Sequence, residues 1–219
     1  MKNLKKILLI GLCVAAVIGA TVAGTVAYLT DRASAVNTFT VGQVDITVDE
    51  AKVDPDGTPV PGADRVTENT YHLIPGQTYI KDPTMTVDKN SEEAYVRMLV
   101  TVNCASQLDA VFAPSGANLT SIFNGYDAAN WIYETETRDT LSNTITYEFR
   151  YKETVDPDGT SDVVLDALFD SITIPGTLDG DDMKSIEDLT ITVVGHAIQK
   201  AGFDTDDAAW TAFDAQHNP

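Results

Sequence analysis

Two stretches of this sequence read Val-Asp-Pro-Asp-Gly-Thr, at Val53–Thr58 and Val155–Thr160. Carboxylates spaced two apart on a Pro/Gly turn can offer oxygen ligands to a hard divalent cation, so Asp54, Asp56, Asp156 and Asp158 are the candidate calcium ligands. Neither copy continues into an EF-hand loop with its terminal bidentate Glu, so ordinary wet turns are the favoured reading of both. No cofactor is required by anything in the chain, and calcium is the one ion for which it offers a place. The only histidines are His72, His196 and His217, and no His-Glu-x-x-His occurs. A zinc hydrolase would have to assemble His72, His196 and a carboxylate from distant positions, which no local spacing supports. Cys104 ends an apolar strand pattern and has no neighbouring His, which reads as a buried thiol rather than a nucleophile. Glycosidase chemistry needs a chosen pair of carboxylates, and the acidic clusters single out none. Trp131, Tyr133 and Tyr151 either fill the core or present an aromatic platform to a polysaccharide. Their period of two already accounts for them as core.

The elements that must carry these residues are strands. Val44, Ile46 and Val48 alternate with Asp45, Thr47 and Asp49, giving one apolar and one wet face. Residues 54–64 form a projecting acidic loop, and strands are expected at Tyr71–Ile74 and Thr78–Val87 around Pro75-Gly76. The stretch 94–104 is the strongest strand, with its even positions on one face. Residues 107–112 suit a short helix before Pro114-Ser115-Gly116. A hairpin through residues 139–143 joins a strand starting at Trp131 to one whose inner face is Ile145, Tyr147, Phe149 and Tyr151. Residues 163–169 are either a short helix or a distorted strand, residues 172–174 are a strand, and Asp179 starts a short polar helix or turn. Residues 189–198 read as a deeply placed strand. Asp204 to Asp207 can cap a C-terminal helix whose Trp210 and Phe213 cover a sheet end or edge. The helical pieces are too short to cover a parallel sheet. The fold class is therefore all-β, an antiparallel jelly-roll-like β-sandwich of about seven to nine strands with short peripheral helices.

The chain has 219 residues with 33 acids against 14 bases, a formal charge of -19. A surplus of acids this large excludes nucleic acid as a partner, because too few Lys and Arg are present to displace phosphate counterions. Lys2, Lys5 and Lys6 precede an apolar run over residues 7–27, the pattern of an export signal, with a retained membrane helix as the competing reading. Cleavage between Ala27 and Tyr28 leaves 192 residues and moves the charge to -22, since it removes three bases and no acids. Cys13 departs with the signal and is no lipid-attachment site. The mature chain then keeps Cys104 alone and has no internal disulfide.

Across that junction, Ala27, Tyr28, Asp31, Asn37, Phe39 and Gly42 closely match the start of the TasA/camelysin family of Gram-positive exported proteins. The segment Leu73-Ile74-Pro75-Gly76-Gln77, then Asp82-Pro83 and the following strand, resembles that family's mid-domain region. The resemblance implies processing by a dedicated signal peptidase and a secreted, extracellular or cell-surface location on a Gram-positive bacterium. It also implies two incompatible activities. One is a biofilm-matrix fibre in which the N-terminal part of one subunit completes the β-sandwich of the next. The other is a casein-cleaving surface metalloprotease. The expectation is a signal at 1–27, an assembly segment at 28–43 and one sandwich at 44–219. The chain is expected to be a structural subunit that associates with itself or related matrix subunits, with cell-wall or matrix polysaccharide as a further partner. Phe39, Val41, Gly42, Val44 and Ile46 are the self-assembly residues, donating a strand to a neighbour's sheet.

Overall fold

The computed structural model describes residues 43–113 and 116–217, which belong to the unit Gly42–Pro219. The expectations placed on Ala27, Tyr28, Phe39, Val41 and Gly42 lie outside the described residues. Ten strands and four helices are described, and every strand pairing is antiparallel.

The first layer is a four-stranded sheet. Its strands are β4 (Ala94–Val102), β6 (Trp131–Asp139), β7 (Thr144–Tyr151) and β10 (Ile191–Gln199), in the order β10-β4-β7-β6. Alternation in β4 puts Val96, Met98, Val100 and Val102 into the core, and β7 adds Ile145, Tyr147 and Phe149 to the same face. The hairpin between β6 and β7 forms where the sequence places it. Strand β10 is half-buried along its length rather than deep, because among the described residues it stands at the sheet edge and pairs only with β4.

The second layer is built from two small sheets. One contains β1 (Ile46–Asp49), β3 (Thr84–Val87) and β8 (Val163–Val164); the other contains β2 (Thr78–Ile80), β9 (Ser171–Thr173) and β5 (Phe123–Asn124). These two are continuous along the chain. Leu165 donates to Met85 O, Leu168 to Pro83 O and Lys81 to Asp170 O, so residues 77–87 and 163–174 run side by side throughout. Between the Thr78–Thr173 and Thr86–Val164 pairs, one strand advances eight residues and the other nine. The extra residue and Pro83, which has no N–H to donate, break the ladder into two pieces. Residues 163–169 accordingly form a two-residue strand followed by irregular chain. Tyr71–Ile74 lies in a loop instead of a strand, its backbone drawn to Pro55 and to the Tyr79 hydroxyl.

The layers interdigitate. Phe123 meets Tyr147 edge-on at 5.7 Å and stacks on Phe169 at 4.5 Å. Gly195 of β10 lies so close beneath β1 and β3 that a Cβ there would stand 2.6 Å from Val48 Cγ2 and 2.7 Å from Met85 Cε. Helix α1 (Ala105–Val111) follows β4, short α2 (Leu119–Ile122) precedes β5, and α3 (Gly180–Ser185) starts at Asp179 with a full capping box.

Helix α4 (Asp206–His217) covers the outer face of the first layer instead of its end. Arg97, 3% exposed, is the anchor: its guanidinium lies 4.4 Å from the Trp210 ring and 5.2 Å from the Phe213 ring, and it pairs with Asp214. Arg97 Nε also donates to His196 Nδ1 at 3.2 Å, and Arg150 ties Asp206 and Asp207 to Glu148. The hydrogen bond from Arg97 holds the Asp214 carboxyl below its ordinary range. A depressed folded value means that this contact stabilises above the unfolded value, about 3.9, and is lost as pH falls through the folded one. We expect Asp214→Asn to lower the urea midpoint near neutral pH, and the gap from the parent chain to close by about pH 2. A gap that persists undiminished in acid would show that the carboxylate charge plays no part.

Candidate functional site: the groove between β1 and β10

Among the described residues both β1 and β10 end their sheets, and the space between them is a cleft of about 1030 Å³. Val48 to Glu50 form one wall and Ile191 to Val193 the other, with the loop 67–73 and the segment from Met183 to Leu189 closing the ends. The loop has no regular structure, and polar contacts hold it in place. Val66 and Glu50 exchange both backbone hydrogen bonds, at 2.8 Å each. Arg65 reaches Asp49, Asp82 and Thr84, while the Tyr71 hydroxyl donates to Ile80 O at 3.0 Å. Burial, followed by the nearby Glu50 charge, pushes the Tyr71 hydroxyl well above its ordinary value.

The groove floor is charged. Lys81 Nζ lies 2.6 Å from Glu50 Oε2, and both side chains are under one-tenth exposed. Asn69 completes the group: its Nδ2 donates to Glu50 Oε1 at 3.0 Å and to Ala51 O at 2.8 Å, and its Oδ1 accepts from Val53 N–H at 3.0 Å. Every polar atom of the Asn69 amide is thereby oriented. A buried pair of this kind holds only while its remaining lone pairs and protons are satisfied, which Asn69 does for Glu50.

The residues singled out by sequence are spread over the molecule. Asp54 accepts from the Asp56 and Thr58 amides in its own turn, at 3.0 and 2.9 Å, while Asp158 accepts from Thr160 at 2.8 Å. In the first copy of the repeat the leading Asp holds the turn; in the second copy the following Asp does. The two motifs are therefore alike in sequence and different in hydrogen bonding. No cluster of three or more metal-ligating side chains occurs among the described residues. Val44 leads into β1, where Ile46 pairs with Val87 of the same chain. His72 lines the groove, whereas His196 stacks on Phe213 at 4.7 Å beside Arg97, so the two do not form a common site. Trp131 is buried, with its Nε1 donating to Asp166 O, and Tyr151 packs edge-on against it, leaving Tyr133 at the exposed sheet edge. Burial and the Asp188 charge push the half-buried Cys104 thiol up, which keeps it a poor nucleophile.

Sequence reasoning missed Glu50, Asn69 and Lys81. Lys81 carried the one readable signal, a base inside the expected strand Thr78–Val87 and just before Asp82-Pro83. No family model matches the chain, and no curated protein or solved structure matches it. No helix among the described residues is long and apolar enough to cross a membrane.

The two repeat turns should respond differently to the same change. Gly57 and Gly159 both have positive φ, +78° and +77°, but a Cβ on Gly57 would meet Tyr79 Cα at 2.8 Å and one on Gly159 meets nothing within 4 Å. Gly159→Ala should cost about 1–2 kcal/mol of backbone strain, and Gly57→Ala about 1–3 kcal/mol more from overpacking. Urea denaturation of both variants measures the difference. Equal losses would mean that the first turn is not docked on Tyr79.

Proposed function

We propose that this chain is a secreted structural subunit that assembles with copies of itself, each subunit receiving an extended N-terminal segment from its neighbour. The open edge of β10 carries the reading. It is nine residues long, contains no Asp, Glu, Lys or Arg, and pairs on one side only among the described residues. The opposite edge, β6, is defended by a bulge between Tyr133 and Thr135 and by Glu134, Glu136, Arg138 and Asp139. One sheet therefore has one edge suited to strand addition and one edge protected from it.

The donor is the chain preceding Gln43, with Phe39 and Val41 as its apolar anchors. Residues 43–49 are already committed within the subunit, since Gln43 O and Asp45 O accept from Glu92 and Asp88, and β1 pairs with β3. Added backbone bonds along β10 would bridge toward β1 and close the groove over Lys81 and Glu50. The groove runs beside the open β10 edge, which suits an extended peptide that adds to that edge. In this reading, calcium is a counter-ion between acidic subunits and the place of work is the cell surface or extracellular matrix.

Mature chain starting at Tyr28 should form polymers visible by electron microscopy. A form lacking Tyr28–Val41 should stay monomeric on a sizing column, with and without calcium. Val194→Lys puts a charge on the exposed outer side of the β10 edge and should reduce polymer at least tenfold without changing the melting curve appreciably. Polymers that survive both changes would sink assembly through this edge.

A further inference from the structure

The three polar side chains on the groove floor form one hydrogen-bonded group centred on Glu50. Glu50 holds Lys81 Nζ on one carboxylate oxygen and Asn69 Nδ2 on the other, at 2.6 and 3.0 Å, so an amine and a carboxamide are presented to each other across one proton carrier. The Asn69 carbonyl oxygen is also polarised by the Val53 N–H. We propose that Lys81 and Asn69 become joined by an intramolecular isopeptide bond, formed by the folded chain itself with Glu50 relaying the protons. This site is independent of the assembly reading.

The chemistry balances without any co-reactant. The Lys81 ammonium gives a proton to Glu50, and the freed amine attacks Asn69 Cγ. As the Nζ–Cγ bond forms, charge gathers on Oδ1, against the Val53 amide that already donates to it. Glu50 hands its proton to Nδ2 and accepts another from Nζ. The Cγ–Nδ2 bond breaks, and ammonia departs with the remaining proton as ammonium. One amide replaces another. Burial helps the first step, because Lys81 and Glu50 are nearly withdrawn from water and their exchange of a proton removes two charges from a low-dielectric site. The orientation of Asn69 by three hydrogen bonds supplies the positioning that an uncatalysed amide exchange lacks.

The bond would have a clear structural consequence. The irregular loop 67–73 would be tied covalently to the residue where the ladder of the second layer breaks. A mature chain that begins after Cys13 has only Cys104 and can make no disulfide of its own, so this bond would be its internal covalent brace.

Peptide mapping of the mature protein by mass spectrometry tests the proposal wherever the chain begins. Trypsin cuts after Arg65, Lys81 and Lys89, so an unlinked chain gives Val66–Lys81 at full mass. The linked chain is expected to give Val66–Lys89, uncut at Lys81, lighter by one ammonia and with Lys81 closed to amine-labelling reagents. Asn69→Ala keeps the Lys81–Glu50 pair and should restore the full mass and the labelling. Glu50→Gln should cut the linked fraction at least tenfold. Full-mass Val66–Lys81 from the unaltered chain overturns the proposal. So does an ammonia deficit with Lys81 still open to labelling, which marks cyclisation of Asn69 on its own backbone. A deficit of one water would place the bond on Glu50 and overturn the assignment to Asn69.

Discussion

Strand β4 is the interaction on which the rest of the molecule depends. It pairs over nine residues with β10 and over six with β7, and its two faces have opposite tasks. Inward, Val96, Met98, Val100 and Val102 are fully or almost fully buried and supply the floor on which the second layer rests. Outward, Arg97 is buried as well, which a strand tolerates only when the charge is met on every side. Asp214, His196 and the Trp210 and Phe213 rings meet it. The C-terminal helix is thus held by a charge in the middle of the sheet, and that charge sits there because β4 is central.

The two layers differ in how continuous they are. The first is one regular sheet, while the second is interrupted at Pro83 and carries its side-by-side pairing across the break with single hydrogen bonds. The weak point of the second layer coincides with the polar floor of the groove. Lys81 precedes the break directly, and its partner Glu50 follows the last residue of β1. Where ladder bonds are few, the network of Arg65, Asn69, Tyr71 and Lys81 supplies the missing directional contacts. Such a network restricts the loop to one arrangement more strictly than apolar packing would, because any misplaced member leaves a buried polar atom unpaired.

Much of this architecture was legible in the residue pattern. Period-two alternation located β4, β6, β7 and the hairpin between them, and the turn chemistry of Asp179 and the acidic start of α4 located both helices. Three things were not legible, each for a physical reason. The apolar run in β10 suggested burial, but an edge strand facing a groove needs the same side chains as a central one. Tyr71–Ile74 has strand-forming residues, yet the Tyr79 hydroxyl and the Pro55 carbonyl take its backbone bonds. The floor of the groove draws Glu50, Asn69 and Lys81 from separate turns of chain, and no local spacing announces a contact between residues 31 positions apart. The acidic repeat misled in the other direction: its composition resembles a ligand set, while Asp54 and Asp158 are occupied in shaping their own turns.

Strand capture and an internal brace place related demands on the same groove. Strand β10 touches Val48 of β1 at Gly195, and an edge that accepts a partner strand must stay open beyond that contact, where Ile191 to Val193 line the groove. Apolar side chains alone would favour closure there, since burying them is favourable at roughly 25 cal/mol per Å². A floor carrying Glu50 and Lys81 opposes it: contact between the walls would bury further polar surface with no partner to replace the lost water. Fixing Asn69 to Lys81 removes the remaining freedom of the loop wall, and an acceptor already in its binding shape loses less entropy when the strand arrives. The charged floor thus opposes closure of the groove, and the proposed Lys81–Asn69 bond would hold its loop wall in the same arrangement.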